Sequence, residues 1–413
     1  MEQLMKQMET IKSDVGMSWK MVRLEDLTED GFMIDGDWIE SKDQDPSGDI
    51  RILQLADIGD GYFINKSNRF INRETSAKLR CTFLKKNDIL IARMPDPLGR
   101  ACLFPFEAEN SYVTVVDVCI MRIKEDVDYK YVTYAINSPD FRNKIESQIT
   151  GTTRLRISGK NLKNLQIPLP PLATQKRIAE ILDAADALRR KDQELLKKYD
   201  ELAQAIFIDM FGDPVKNEKG WEVKKLGDEF KSIRYGTGSP PEYSESGIPF
   251  LRATNVKAGR IERKGMVFLT EKEAQKIAKC FVNEGDLIIV RSGANTGDCA
   301  YISAEYANCL AGYDLIVEME KVKSRFYNYF LNSIWGKAII EKLSRRAGQP
   351  HLNSEQVSNI ECIAPEYSQL EKFKLEIDSI ENLRKISIET NNVSNNLFQT
   401  LIQKAFKGEL VAE

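Results

Sequence analysis

The sequence predicts an α+β protein built twice over: two similar mixed globular domains joined by two long helices, which pair as an antiparallel coiled coil in a pseudo-twofold internal repeat. Three observations predict it. The chain matches itself at an offset near 195 residues, the signature of a duplicated unit. Residues 174–211 run without a helix breaker until Gly212 and Pro214, and their apolar residues recur in heptad spacing. A more polar copy of that heptad pattern closes the second half of the repeat, over residues 367–406.

At 413 residues the chain exceeds what one compact core accommodates and suits two domains with a helical connector. The repeat sets their expected bounds: a first globular domain over residues 1–166, a proline-rich lead-in and first spacer helix over 167–212, a second globular domain over 213–364, and a second spacer helix over 365–413. Within the globular parts, Trp19 and Leu24 correspond to Trp221 and Leu226, and Leu53, Asp57, Ile58 and Gly61 to Leu251, Asn255, Val256 and Gly259. The clearest match sets Asp88-Ile89-Leu90-Ile91-Ala92-Arg93 against Asp286-Leu287-Ile288-Ile289-Val290-Arg291, with Gly99 and Gly297 each six residues beyond the arginine. Short β-branched runs behind a turn at Asn87-Asp88 or Gly285-Asp286 predict buried strands. Residues 131–138 and 326–333 predict matching short helices, each ending in Asn-Ser.

The lead-in Ile167-Pro168-Leu169-Pro170-Pro171-Leu172 predicts extended backbone, because proline disfavours helical geometry in the residue before it. The helix that follows, about 55 Å long over residues 175–211 at about 1.5 Å per residue, carries Ile178, Ile181, Ala185, Leu188, Leu195, Tyr199, Leu202 and Ile206 on one seam, with Asp192 at a seam position. Its counterpart carries Phe373, Ile377, Ile380, Leu383, Leu397 and Leu401, with Ser387, Thr390 and Ser394 making the middle polar. A seam this narrow needs a partner helix, and pairing the two with each other satisfies both.

Composition narrows the function classes. A net charge of -3 and a pI near 5.7 put any nucleic-acid affinity into local basic patches. Arg142, Lys144, Arg154, Arg156, Lys160 and Lys163 form one such patch, and Lys337, Lys342, Arg345 and Arg346 form another at the equivalent place in the repeat. Gly151-Thr152-Thr153-Arg154 offers hydroxyls, N–H groups and a guanidinium to a phosphate. Arg93 and Arg291, each ending a buried strand, are candidates to project toward a DNA groove, as are Arg100, Arg252 and Asn255, and His351 is a candidate loop contact. Seven isolated cysteines and a single histidine lack metal-ligand spacing, so no metal or other cofactor is expected. There is no phosphate-binding G-x-x-x-x-G-K-[ST] loop, no Gly-rich cofactor loop beside an Asn-Pro-Pro-Tyr-like motif, and no ordered nuclease set, so no catalytic residues are expected. No apolar run reaches membrane-spanning length and residues 1–12 carry scattered charges, which makes a cytoplasmic location the expectation.

At Gly151-Thr152-Thr153-Arg154-Leu155-Arg156-Ile157-Ser158, followed by the proline-rich lead-in and Gln175-Lys176-Arg177-Ile178-Ala179, the sequence resembles the DNA-specificity subunits of type I restriction-modification systems. The second copy departs from that pattern, with Gly348-Gln349-Pro350-His351-Leu352-Asn353 in place of the threonine-arginine loop. The resemblance implies a non-catalytic subunit whose two globular domains are target-recognition domains, each reading one half of a split double-stranded DNA sequence. Its helices would set the spacing and dock two methyltransferase (modification) subunits, with ATP-dependent restriction and translocase subunits joining for cleavage. On the residues alone, two other readings stay open: a self-contained DNA-modifying or DNA-cleaving enzyme with a divergent site, and a coiled-coil scaffold with no DNA role.

Overall fold

The structure is a computed structural model that describes residues 19–95, 97–107, 110–149, 155–345 and 349–410. The chain divides into two compact units, one of residues up to Gln193 together with those from Thr390, the other of Glu194–Glu389. Each unit therefore contains one globular module and one half of each long helix.

In the first unit the buried runs become a four-stranded antiparallel sheet in the order Thr28–Asp35, Val118–Ile123, Ile89–Ala92, Ala101–Leu103. All four residues of Ile89–Ala92 are buried because both sheet faces are covered. Ile89 and Ile91 face a core shared with Tyr131, Ile136 and Ile178, whereas Leu90 and Ala92 face Leu53, Leu84 and Phe104. A smaller sheet, Phe70–Ile71 against Ile50–Leu53 against Tyr112–Thr114, completes the module.

The second unit repeats this topology, with Ser232–Tyr235, Leu315–Glu318, Leu287–Ile289 and Cys299–Tyr301 in one sheet and Val267–Leu269, Ile248–Leu251 and Leu310–Ala311 in the other, and adds the strand pair Val256–Lys257 with Arg260–Ile261. Details repeat as well. The Asn137 side chain bridges the backbone of Ala101 from the end of the helix Tyr129–Ile136, and Asn332 does the same for Cys299 from Lys321–Asn332. Ser138 and Ser333 cap the next helices, Pro139–Glu146 and Ile334–Ser344. Gly99 and Gly297 both have positive φ, and a Cβ on either would lie about 2 Å from an isoleucine methyl, of Ile145 or Ile340, so glycine is required twice at the same place.

The proline-rich segment forms the strand Gln166–Leu169, paired antiparallel with Lys20–Arg23, and Ile363 pairs with Val223 in the matching strand pair of the second unit. The Tyr131 hydroxyl donates to the Pro168 carbonyl at 2.7 Å, and the buried Gln175 amide donates to Pro170 while accepting from the Asp128 N–H. Held this way, the first long helix starts at Leu172, earlier than the sequence suggests, and ends at Phe211; the second spans Tyr367–Lys407. In the first unit Ile178, Leu182 and Ala185 pack with Phe398, Leu401, Ile402 and Ala405, and in the second Ala203, Phe207 and Phe211 pack with Leu370, Phe373, Ile377 and Ile380. The start of one helix thus meets the end of the other, an antiparallel pair.

The seam differs from its sequence expectation. Ile178, Phe373, Ile377, Ile380 and Leu401 are buried, but Ile181, Leu188 and Leu397 are only half-buried, and Leu195 and Leu202 are 40% and 47% exposed. Along the first helix Leu182, Asp186, Ala203 and Phe207, each one residue after an expected seam position, are buried. Each helix half packs on a globular module as well as on its partner helix, so the buried stripe is wider than a coiled-coil seam and follows the 3.6-residue period of a straight helix. The middle is polar: Asp186 is buried against Arg189 and Arg190, and Ser387 and Ser394 are buried on the second helix.

Candidate nucleic-acid interface

The hydrogen bonds of the two main sheets fix which residues occupy equivalent places. The Gly36 N–H donates to the Val118 carbonyl at 2.8 Å and the Gly236 N–H to the Asp314 carbonyl at 2.9 Å, which sets Asp35 opposite Tyr235 in the repeat and Asp117 opposite Tyr313. The Ile157 N–H donates to the Arg93 carbonyl at 3.2 Å and the Leu352 N–H to the Arg291 carbonyl at 2.8 Å, which matches Arg93 with Arg291 and Arg156 with His351. One backbone frame thus carries two chemically different clusters, both at the ends of buried strands where a loop returns toward the long helix.

In the first unit the cluster is ionic. The Arg93 guanidinium lies 3.0 Å from the Asp35 carboxylate and donates to the Val116 carbonyl at 2.8 Å, and the residue is only 2% exposed. Arg156 lies 3.5 Å from Asp117. Lys160 stands exposed on the short helix Gly159–Asn164, whose first turn Ser158 caps, and Lys163 pairs with Glu25.

In the second unit the cluster is aromatic. The Arg291 guanidinium carbon lies 4.6 Å from the Tyr235 ring centre and 4.3 Å from that of Tyr313, so the group sits against two rings that are 40% and 48% exposed. Its NH2 group is 2.9 Å from His351 Nε2. Arginine has no acceptor, so His351 accepts here, which requires a neutral ring with its proton on Nδ1. The Tyr235 hydroxyl is 3.0 Å from Ser354, and the Arg291 N–H reaches Asp314 at 3.4 Å.

Asp314 is buried, and burial pushes its carboxyl up to about 6, only partly opposed by the Arg291 N–H and charge. A folded value above the unfolded 3.8 means that the native state binds the proton more tightly. The stabilisation is therefore full below about pH 4 and is lost as pH rises through 6. Asp314→Asn is expected to flatten the stability profile between pH 4 and 7, read by urea denaturation at each pH.

The other candidates separate. Arg100 is buried, and its guanidinium donates to the carbonyls of Ile58, Leu55 and Pro97 at 2.6, 2.8 and 3.0 Å: it clamps loops and does not project to a groove. Arg93 is corrected in the same way, since its guanidinium is buried and paired with the exposed Asp35 carboxylate. Asn255 is a buried turn cap that accepts from the Arg252 N–H. Arg252 is half-buried, with NH2 donating to the Gly265 carbonyl at 2.5 Å. Arg345 is exposed and pairs with Glu341. Thr152, Thr153, Arg154 and Arg346 lie outside the described residues. The two basic patches are also less open than their sequence suggests, because Arg142 pairs with Asp60 and Lys337 with Asp298. Among the described residues no group of three or more His, Cys, Asp or Glu side chains is placed to hold a metal ion, and no helix is long and apolar enough to cross a membrane.

Sequence reasoning missed Asp35, Asp117, Tyr235 and Tyr313. The offset between the copies is 200 residues at Asp35 and Tyr235 but 196 at Asp117 and Tyr313, so a single shift does not align them.

A duplicated mixed module with a basic-aromatic loop surface and a long helix after each copy is the class of protein that the fold and the site define. The sequence profile of the type I restriction modification DNA specificity domain matches residues 17–198 and again 218–397. The chain belongs to that family, and its role is that of a non-catalytic DNA sequence-specificity subunit. It is 25% identical over 317 residues to the type I restriction enzyme EcoKI specificity subunit of Escherichia coli (strain K12), covering 71% of this chain and 68% of that one. It is 24% identical over 352 residues to the MjaVIII specificity subunit of Methanocaldococcus jannaschii, covering 79% and 81%. Among solved structures, the type I restriction-modification S subunit from M. genitalium shares the fold with a TM-score of 0.57 at 16% identity, over 96% of this chain and 98% of that one.

Proposed function

We propose that the chain reads a bipartite double-stranded DNA target, one half-site per globular module, and positions two methyltransferase subunits and ATP-dependent restriction subunits on it in the cytoplasm. The supporting observation is the pair of clusters at one equivalent position: two modules share backbone, caps and strand order yet present Asp35, Asp117 and Arg156 in one and Tyr235, Tyr313 and His351 in the other. Duplication with divergence at such side chains suits two different sequences read by one scaffold. The expected DNA-facing residues are Arg156, Lys160, Arg252, Arg291, Arg345 and His351, together with Thr152, Thr153, Arg154 and Arg346. The globular domains of residues 1–166 and 213–364 do the reading, and the spacer segments, residues 167–212 and 365–413, carry exposed Leu195, Leu202, Leu383 and Ile386 as apolar surface for partner helices. The test is methylation in vitro. The purified chain alone should transfer no methyl groups, and adding the modification subunits should yield methylation at one bipartite sequence, with affinity falling steeply as salt rises. Methylation by the isolated chain, or salt-independent binding by the complex, would contradict this reading.

A further inference from the structure

The Arg291 cluster supports a sharper assignment, which rests on the DNA-reading role. Among the described residues no carboxylate lies within ion-pair distance of the Arg291 guanidinium, whereas Arg93, its counterpart, is tied to Asp35. The two tyrosine rings lie against the guanidinium, and the bond to His351 Nε2 holds its NH2 group, so the side chain has little freedom to swing. Both rings are about half exposed, so the cluster reaches the surface, and the nearby buried Asp314 acts on the Arg291 charge without forming an ion pair with it. A planar fork of N–H donors held this way is matched to a pair of acceptors on a flat edge, and in the major groove guanine alone presents O6 and N7 as such a pair. A phosphate also accepts from such a fork, but a phosphate contact weakens binding to every sequence alike when it is lost, whereas a guanine contact is lost at one base pair.

We propose that Arg291, clamped by Tyr235 and Tyr313 and oriented by His351, reads a guanine in the half-site of the second module, while the equivalent place in the first module, closed by Asp35 and Asp117, reads no base through Arg93. The two half-sites are thus read by different chemistry at one position of the scaffold.

The experiment uses the full chain assembled with its modification subunits, and duplexes in which each base pair of the mapped target is replaced in turn. Arg291→Lys keeps the charge and removes the fork. The expected result is a loss of about tenfold or more in discrimination at one guanine of the second half-site, with the first half-site and the salt dependence unchanged. Tyr313→Leu, which removes one wall and keeps the arginine, should lower discrimination at the same guanine, and it reports on the proposal even if Arg291→Lys fails to assemble. Unchanged discrimination at every position, or a uniform loss of affinity across all sequences, would overturn the assignment while leaving the DNA-reading role standing. A wild-type complex with no sequence preference would instead remove the DNA-reading role, and this assignment with it.

Discussion

Glu381→Gln is expected to destabilise the second unit by about 2–4 kcal/mol, because it breaks a partly buried charge network rather than a surface pair. Arg260, on the short strand Arg260–Ile261, reaches Glu381 at 2.8 Å and Asp200 at 2.9 Å. Arg384 reaches Asp200 at 3.1 Å, and the Tyr329 hydroxyl donates to Glu381 at 3.3 Å. The Arg260 and Glu381 side chains are 23% and 22% exposed, so solvent screening reduces the penalty below that of a fully buried pair. One arginine thus ties the globular module to both long helices of its unit. Burial raises the Glu381 carboxyl, but the hydrogen bonds and charge of Arg260, with Arg325 and Arg384, outweigh it and leave the group lowered. A lowered folded value gives stabilisation that is full above the unfolded 4.5 and lost as pH falls through the folded value. The difference between wild type and Glu381→Gln in chemical denaturation should therefore be largest near neutral pH and shrink in acid. A constant difference at all pH values would show that the carboxylate charge is not what stabilises the unit.

Phe211→Ala should have an effect of similar size by another route. Phe211 is fully buried, with its ring centre 4.7 Å from Phe326, 5.2 Å from Phe373 and 5.4 Å from Phe207. It is also 6.1 Å from Trp221, whose indole N–H donates to the Phe211 carbonyl at 2.9 Å. Truncation leaves a ring-sized hole among aromatic neighbours that cannot collapse into it, at a cost of about 3–5 kcal/mol. The repeat supplies an internal comparison: Phe406, which is partly buried, stands 5.4 Å from Tyr131 in the first unit. Phe406→Ala should cost less than Phe211→Ala, and thermal unfolding of the two variants compares them. Equal losses would mean that aromatic clustering does not set the stability of this corner.

Much of the architecture was legible because it is written twice. The runs Ile89–Ala92 and Leu287–Ile289, the glycines beyond them and the Asn-Ser helix junctions all occupy equivalent places in the structure. The heptad pattern marks the helix pair and the buried face of the second helix, but along the first helix Leu195 and Leu202 match a 3.5-residue period that a helix also packed on a globular module does not follow. The site was less legible. Whether an arginine ending a strand faces solvent depends on its neighbours across the sheet, and these lie far away in sequence: Asp35 for Arg93, Tyr235 and Tyr313 for Arg291. Arg100 likewise carried no sign that backbone carbonyls would enclose it.

Whether two modules read two half-sites is decided by mapping methylated bases in cells that produce this chain with its modification subunits, before and after residues 1–166 are exchanged for the corresponding domain of a relative. The expected result is a split motif with an unread gap, of which one half changes on exchange while the other half and the gap persist. A single uninterrupted motif, or a change in both halves after the exchange, would contradict it.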